Sequence, residues 1–252
     1  MKTKSLFKGL LASVMALSLV ACGSSSSSSK EKTYVINTDK TYAPFEMTDS
    51  KGKLIGIDMD LMRAIAKDQG IKIKIKSVGF DAACTALESG ECDGVIAGMS
   101  ITDARKKKYD FSKAYYTTSV SVAVGKDSTV SSMEDLKGKT VVAKTSTAGL
   151  AYAQSVEKKY GYKLQVVEES SFMFEKVKAG EAAACFEDTP VLKYMIKKGE
   201  LPFKLPMDPV NPCGYGFAVL KGENQDLLKA FDKGLADLKK NGEYDKILAK
   251  YE

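Results

Sequence analysis

Short apolar runs and amphipathic segments alternate along the chain from residue 33 onward, and the alternation occurs twice. In the first pass, residues 33–38 (TYVINT) and 53–57 read as strands. From Asp58 onward, Leu61, Met62, Ile65 and Ala66 fall on one helical face, with Asp58 expected as N-cap and Gly70 as the stop. Residues 71–77 alternate apolar and basic side chains, the pattern of a strand with one wet face. A helix over 81–89 ending at Gly90, a buried strand over 94–97 and a helix capped by Thr102 and containing 105–108 complete this pass. A long strand-like run over 115–124 opens the second. It continues as a short helix 132–136, strand 139–144, helix 148–160, strand 164–168, helix 171–179 stopped by Gly180, buried strand 182–186 and helix 189–198 with Pro190 in its first turn. A strand over 215–220 and helices over 225–240 and 244–251 close the chain. This rhythm predicts parallel sheets covered by helices, an α/β fold. Two such halves joined by two strand-like crossings predict two lobes, 33–118 with 215–252 and 119–214, with a small-molecule cleft between them.

The first 32 residues do not share the rhythm. Lys2, Lys4 and Lys8 precede a mostly apolar run over 10–21, too short to span a bilayer comfortably, so 1–21 reads as a signal peptide. The run ends Leu19-Val20-Ala21-Cys22, which resembles a bacterial lipobox and implies cleavage before Cys22 and a diacylglycerol on its sulfur. Six serines and Lys30-Glu31-Lys32 follow, so 22–32 reads as a flexible leash. The remaining cysteines, Cys84, Cys92, Cys185 and Cys213, are even in number and lack zinc-knuckle spacing. Either two disulfides (most simply Cys84–Cys92 and Cys185–Cys213) or four buried thiols fit an exported protein.

Composition narrows the chemistry. The 252 residues contain no histidine, which removes histidine-based hydrolases, histidine-ligated metals and histidine general bases. Without the three signal-peptide lysines, 35 basic residues face 32 acidic ones, a balance that gives no pull toward nucleic acid.

Several ordered blocks carry a family resemblance. Gly56-Ile57-Asp58-Met59-Asp60-Leu61 resembles a motif of the bacterial extracellular solute-binding proteins of the polar amino-acid class, the receptor subunits of amino-acid ABC importers. Gln69 departs from the family's longer pattern at a helix end. Residues 38–46 (TDKTYAPFE) resemble its first-strand exit, Phe80-Asp81 its second aromatic wall and 97–106 (AGMSITDARK) its central run. Thr145-Ser146-Thr147-Ala148-Gly149 resembles its second-lobe turn, and Glu187-Asp188-Thr189-Pro190 its second-lobe acid.

The resemblance implies a two-lobed periplasmic-binding-protein-like fold of type II, with two hinge strands and a ligand site in the cleft. A free amino acid is a zwitterion, and the residues suit one. Arg105 offers a bidentate fork to the carboxylate. Thr147, at a helix start, adds donors. The Gly98 carbonyl, Ser100 hydroxyl and Asp188 carboxylate can accept from the ammonium, while Tyr42 and Phe80 sandwich the stem. At the far end stand Asp39 and, beyond it, Lys144 and Glu187. An acid beside a lysine matches a carboxamide, so glutamine is the expected ligand. Asp39 with Glu187 and no lysine would favour arginine or lysine, and cystine is a further alternative. Glu187 stands where glutamine-type members usually carry histidine. The implied partners are an ABC permease and ATPase, and the implied form is a lipid-anchored extracytoplasmic monomer with neither cofactor, metal nor catalysis. A sensor for a signalling partner and a dehydratase on the same fold are the competing readings.

Overall fold

The twofold rhythm resolves into two separate sheets. A computed structural model describes residues 32–251. The signal peptide expected over 1–21, the lipidation site Cys22 and the leash up to residue 31 lie outside the described residues. In chain order the elements are β1 (Thr33–Thr38), β2 (Met47–Thr48), β3 (Leu54–Ile55), α1 (Ile57–Asp68), β4 (Lys72–Ser77), α2 (Phe80–Glu88), β5 (Gly94–Val95), α3 (Asp103–Lys106), β6 (Tyr109–Phe111) and β7 (Tyr116–Gly125). Then come β8 (Thr140–Lys144), α4 (Ala148–Tyr160), β9 (Lys163–Val167), α5 (Ser170–Lys178), β10 (Ala184–Asp188), α6 (Thr189–Lys197), β11 (Phe203–Lys204), β12 (Val210–Tyr215), β13 (Ala218–Leu220), α7 (Gln225–Lys240) and α8 (Glu243–Ala249).

One sheet has the order β4-β1-β5-β13-β6, and the other runs β11-β7-β10-β8-β9 with β12 also on β7. The β1–β4, β1–β5, β8–β9 and β8–β10 pairs are parallel, as strand–helix–strand connections require. β13 and β7 run antiparallel to their neighbours. The edge strand β4 turns Lys72, Lys74 and Lys76 outward, charges that discourage edge-to-edge association. The chain crosses between the two sheets from β6 to β7 and from β12 to β13, beside the β7–β12 pair, where Tyr116 lies opposite Tyr215 and Thr118 opposite Cys213. Phe45 packs edge-on against Tyr116 and Tyr215, with ring centroids 5.0 and 4.9 Å away. Each such aromatic pair contributes on the order of 1 kcal/mol beyond its burial.

Three expectations are corrected, and the cysteine alternative is decided. Asp58 is not the cap of α1. The backbone passes so close to Phe45 that a Cβ at residue 56 would lie 2.1 Å from its carbonyl oxygen, so Gly56 holds the cap position with φ near 130°. Asp58 falls inside the first turn, fully buried, and accepts from the Gly98 N–H at 2.7 Å and the Tyr115 hydroxyl at 2.8 Å. The run 215–220 is two strands, because Tyr215 ends β12 in one sheet and β13 belongs to the other. The helix expected to contain 105–108 stops at Lys106. Of the two readings of the cysteines, the thiols hold: Cys84, Cys92, Cys185 and Cys213 are free, Cys92 and Cys185 buried and the other two partly exposed. Cys185 and Cys213 lie opposite Ala123 and Thr118 on different flanks of β7. Five residues of strand separate those levels, about 17 Å, against a disulfide limit of about 7 Å between Cα atoms.

Candidate functional site

The residues expected at the ligand lie where strands end and helices begin, as is usual for ligand sites of open α/β sheets. Asp39 follows β1, Gly98 and Ser100 follow β5, and Asp188 ends β10. Phe80 opens α2, Thr147 caps α4 and Arg105 sits in α3. With Tyr42, which follows Asp39 by three residues, all eight line one cavity, together with Ala97, Lys144 and Ala148. Its walls come from both sheets. Gly98 takes φ near 51°, and a Cβ there would meet the Tyr42 ring at 2.6 Å, so only glycine lets the aromatic wall lie on this turn.

Arg105 is held from both sides. Its guanidinium donates to the Ser100 carbonyl and to the Ser146 carbonyl, each at 2.8 Å, and lies 5.2 Å from the Phe80 ring centroid. Two contacts fix the plane of a group with five N–H donors, leaving part of the fork for a carboxylate. The Thr147 hydroxyl is committed to α4: it accepts from the Leu150 N–H at 3.1 Å and donates to the Lys144 carbonyl at 2.7 Å. What it offers a ligand is therefore the backbone N–H groups at the start of the helix.

The acidic end is built on Asp188. It occupies the cap position of α6 but makes no side-chain capping bond. Its carboxylate accepts instead from the Tyr215 hydroxyl at 2.5 Å. Burial pushes its carboxyl above the ordinary range, while the Tyr215 and Tyr42 hydroxyls and the Arg105 charge pull it back. Tyr215 was not among the expected site residues. It is held by Thr118 at 3.1 Å and lies 3.4 Å from the Tyr42 hydroxyl. Its only sequence signal is the Gly214-Tyr215-Gly216 context, where Gly216 admits Ile101 and Phe111.

Lys144 ends β8 with its ammonium inside the site. Its Nζ lies 2.5 Å from Asp39 Oδ2, both side chains 3% exposed, and about 6 Å from the Tyr42 and Phe80 rings. Burial pulls the ammonium pKa down, but the charge and hydrogen bond of Asp39 more than offset this, and the net shift is upward. The pair spans the two sheets, as does the Tyr42 hydroxyl's bond to Glu187 Oε1 at 3.2 Å. Glu187 is not on the cavity wall. It is fully buried behind Asp188 and also accepts from the Ser170 hydroxyl and the Asp188 N–H. Burial and the neighbouring Asp188 charge push its carboxyl up to about 7.

A larger groove, about 980 Å³, lies at the hinge between Tyr116–Ser119 and α6. Its only charged lining residues are Lys193 and Lys197, so it lacks the paired signs a zwitterion needs. Among the described residues, no group of three or more His, Cys, Asp or Glu side chains could hold a metal ion, and no helix is long and apolar enough to cross a membrane.

Over most of its length the chain is similar to known amino-acid-binding proteins. The chain is 32% identical over 246 residues to the arginine-binding extracellular protein ArtP of Bacillus subtilis, covering 96% of this chain and 95% of that one. The second substrate-binding domain of Lactococcus lactis GlnP, solved in an open conformation, is 43% identical with a TM-score of 0.64, covering 88% of this chain and 96% of that one. An ancestral arginine-binding protein solved bound to glutamine is 38% identical with a TM-score of 0.79, covering 87% of this chain and 97% of that one. Residues 34–252 match the bacterial extracellular solute-binding proteins, family 3, and the chain belongs to that family.

Proposed function

We propose that the protein captures a free amino acid with an uncharged polar side chain, glutamine first, and delivers it to the permease and ATPase of an ABC importer. The carboxylate binds Arg105 and the N-terminal N–H groups of α4. The ammonium binds Asp188, the Ser100 hydroxyl and the Gly98 carbonyl. Tyr42 and Phe80 enclose the stem, and Asp39 with Lys144 reads the side chain. The observation that carries this reading is the buried Asp39–Lys144 ion pair. Arg105 and Asp188 already balance the two charges of a zwitterion, and Asp39 and Lys144 balance each other. A charged side chain would break that balance inside a desolvated cleft, whereas a carboxamide offers one acceptor to Lys144 and one donor to Asp39.

The lobes are 33–118 with 215–252, and 119–214, and they close on the ligand by bending at β7 and β12. The protein works as a monomer, tethered outside the cytoplasm by a lipid on Cys22. It binds without turnover: Asp39 and Asp188 are given to the ligand, and Glu187, the spare acid beside the cleft, lies off the cavity wall and is engaged by three donors. A basic amino acid is the second reading, favoured by the names of the arginine-binding relatives.

Calorimetry with glutamine, arginine, glutamate and cystine tests the assignment. Glutamine should bind most tightly, and tighter binding of arginine would refute the Lys144 argument. Mass spectrometry of membrane-extracted protein should find an N-terminus at Cys22 carrying a diacylglycerol; an unmodified Cys22 would remove the anchor.

A further inference from the structure

Behind the ligand cavity two carboxyl groups lie together with no cation bonded to either. Glu46 and Asp58 are both fully buried. Asp58 Oδ2 takes the two available donors, Gly98 N–H and Tyr115 OH. Asp58 Oδ1 and both Glu46 oxygens accept no hydrogen bond. Lys144 reaches Glu46 only through its charge, since its Nζ is bonded to Asp39. Ionised carboxylates are acceptors only. Two of them here would leave three buried oxygens unsatisfied and two like charges side by side, an arrangement that does not persist. One proton removes the like-charge contact and pairs two of the three oxygens, and it belongs on Glu46, because Asp58 already has two donors that favour its anion.

We propose that Glu46 is a neutral carboxylic acid donating a hydrogen bond to Asp58 Oδ1, and that this acid–carboxylate pair positions the Gly98 turn facing the ligand. The route is short. Glu46 bonds Asp58, Asp58 holds the Gly98 N–H, and Gly98 lies against the Tyr42 ring with no slack. Glu46 also grips Tyr42 through the backbone, with Tyr42 N–H to Glu46 carbonyl at 2.7 Å and Glu46 N–H to Tyr42 carbonyl at 3.1 Å. One residue therefore ties the aromatic wall, through its backbone, to the ammonium-facing turn, through its side chain. The groups facing the pair agree with this placement. Burial, then the charges of Asp58 and Asp39, hold the Glu46 carboxyl well above the carboxylate range, against a smaller opposing pull from Lys144. Asp58 is pushed up by burial only to about 6, because Gly98, Tyr115 and Glu46 all bond its anion. Tyr115, itself beside Tyr215, stays a donor because burial and the Asp58 charge hold its hydroxyl far above its ordinary pKa.

The positioning half of this inference rests on Gly98 as an ammonium acceptor; the protonation half does not. Infrared difference spectra of the wild-type chain against E46Q at neutral pH test the proton. A neutral-acid C=O band present in wild type and lost in E46Q is expected, and loss of carboxylate intensity alone overturns the proposal. Calorimetry with L-glutamine and L-arginine tests the positioning. E46L, which removes the donor, should weaken the tighter of the two by about tenfold, and E46Q, which keeps a donor, should restore it to within about threefold of wild type. An E46Q as weak as E46L overturns the positioning role. If E46L does not fold, an E46Q more than about tenfold weaker than wild type overturns it equally. A wild type that binds neither amino acid defeats the functional reading, while the infrared result still decides the acid–carboxylate pair.

Discussion

Arg105 and Lys107 lie two residues apart in one basic run, yet their surroundings differ. Arg105 is half-buried over Phe80 and clamped by two carbonyls, whereas Lys107 is exposed. Truncating a charge that pairs in a desolvated cleft costs on the order of 2–5 kcal/mol, so Arg105→Ala should abolish measurable binding in calorimetry and leave the circular dichroism spectrum unchanged. Lys107→Ala should cost almost nothing, and equal losses for the two would mean the pocket is misplaced. Lys144→Met is the sharper test of selectivity. It leaves Asp39 as an unpaired carboxylate facing the cavity, so arginine should gain on glutamine by at least about tenfold, worth 1.4 kcal/mol of pairing. A variant that still prefers glutamine by the wild-type ratio would remove Lys144 from the specificity argument. The eight residues named from sequence do converge in the cavity, because motif blocks at strand and helix ends are local in sequence. The resemblance already sets Lys144 beside Asp39, 105 residues away, which no spacing rule could do. Tyr215's bond to Asp188 joins positions 27 residues apart and was not legible, because no motif block contains Tyr215.

Helix α4 shows how an element places part of the site. Thr147 caps it, Gly161 ends it in the left-handed conformation, and its start abuts β10 so closely that a Cβ on Gly149 would lie 2.7 Å from the Phe186 carbonyl oxygen. A backbone atom cannot swing away, so Gly149→Ala should push the N–H groups off the cleft and destabilise the fold by about 1–3 kcal/mol, read by urea denaturation. Thr147→Ala loses the cap, about 1 kcal/mol, and should weaken binding as the first turn frays. Unchanged affinity in Thr147→Ala would mean that the turn is held by other contacts. The sequence pattern reached α4 and α7 residue for residue, since both repeat an apolar face over three turns or more. It missed β2, β6, β11 and β12. The first three are only two or three residues long. The last is interrupted by a register shift between Val210 and Cys213 and contains Pro212, features that erase a period of two.

Burial of carboxyl groups gives the whole molecule a pH dependence of definite sign. Glu187 carries its carboxyl at about 7 in the fold against an ordinary 4.5, through burial and the Asp188 charge. A carboxyl raised in the folded state binds its proton there more tightly than in the unfolded chain. The folded state is therefore favoured in full below about pH 4.5 and loses that advantage as pH rises through about 7. The shift corresponds to on the order of 3 kcal/mol. Asp58, raised to about 6 by burial, acts in the same direction, as does Glu46. The carboxyls shifted downward, among them Glu88, Asp226 and Asp237, are almost unburied surface groups whose opposing effect is screened by solvent. Thermal unfolding should therefore occur at a higher temperature at pH 5 than at pH 8. Glu187→Gln, which cannot ionise, should flatten that difference, while Glu88→Gln at the surface should not. A protein that grows steadily more stable from pH 5 to pH 8 would mean that Glu187 reaches water.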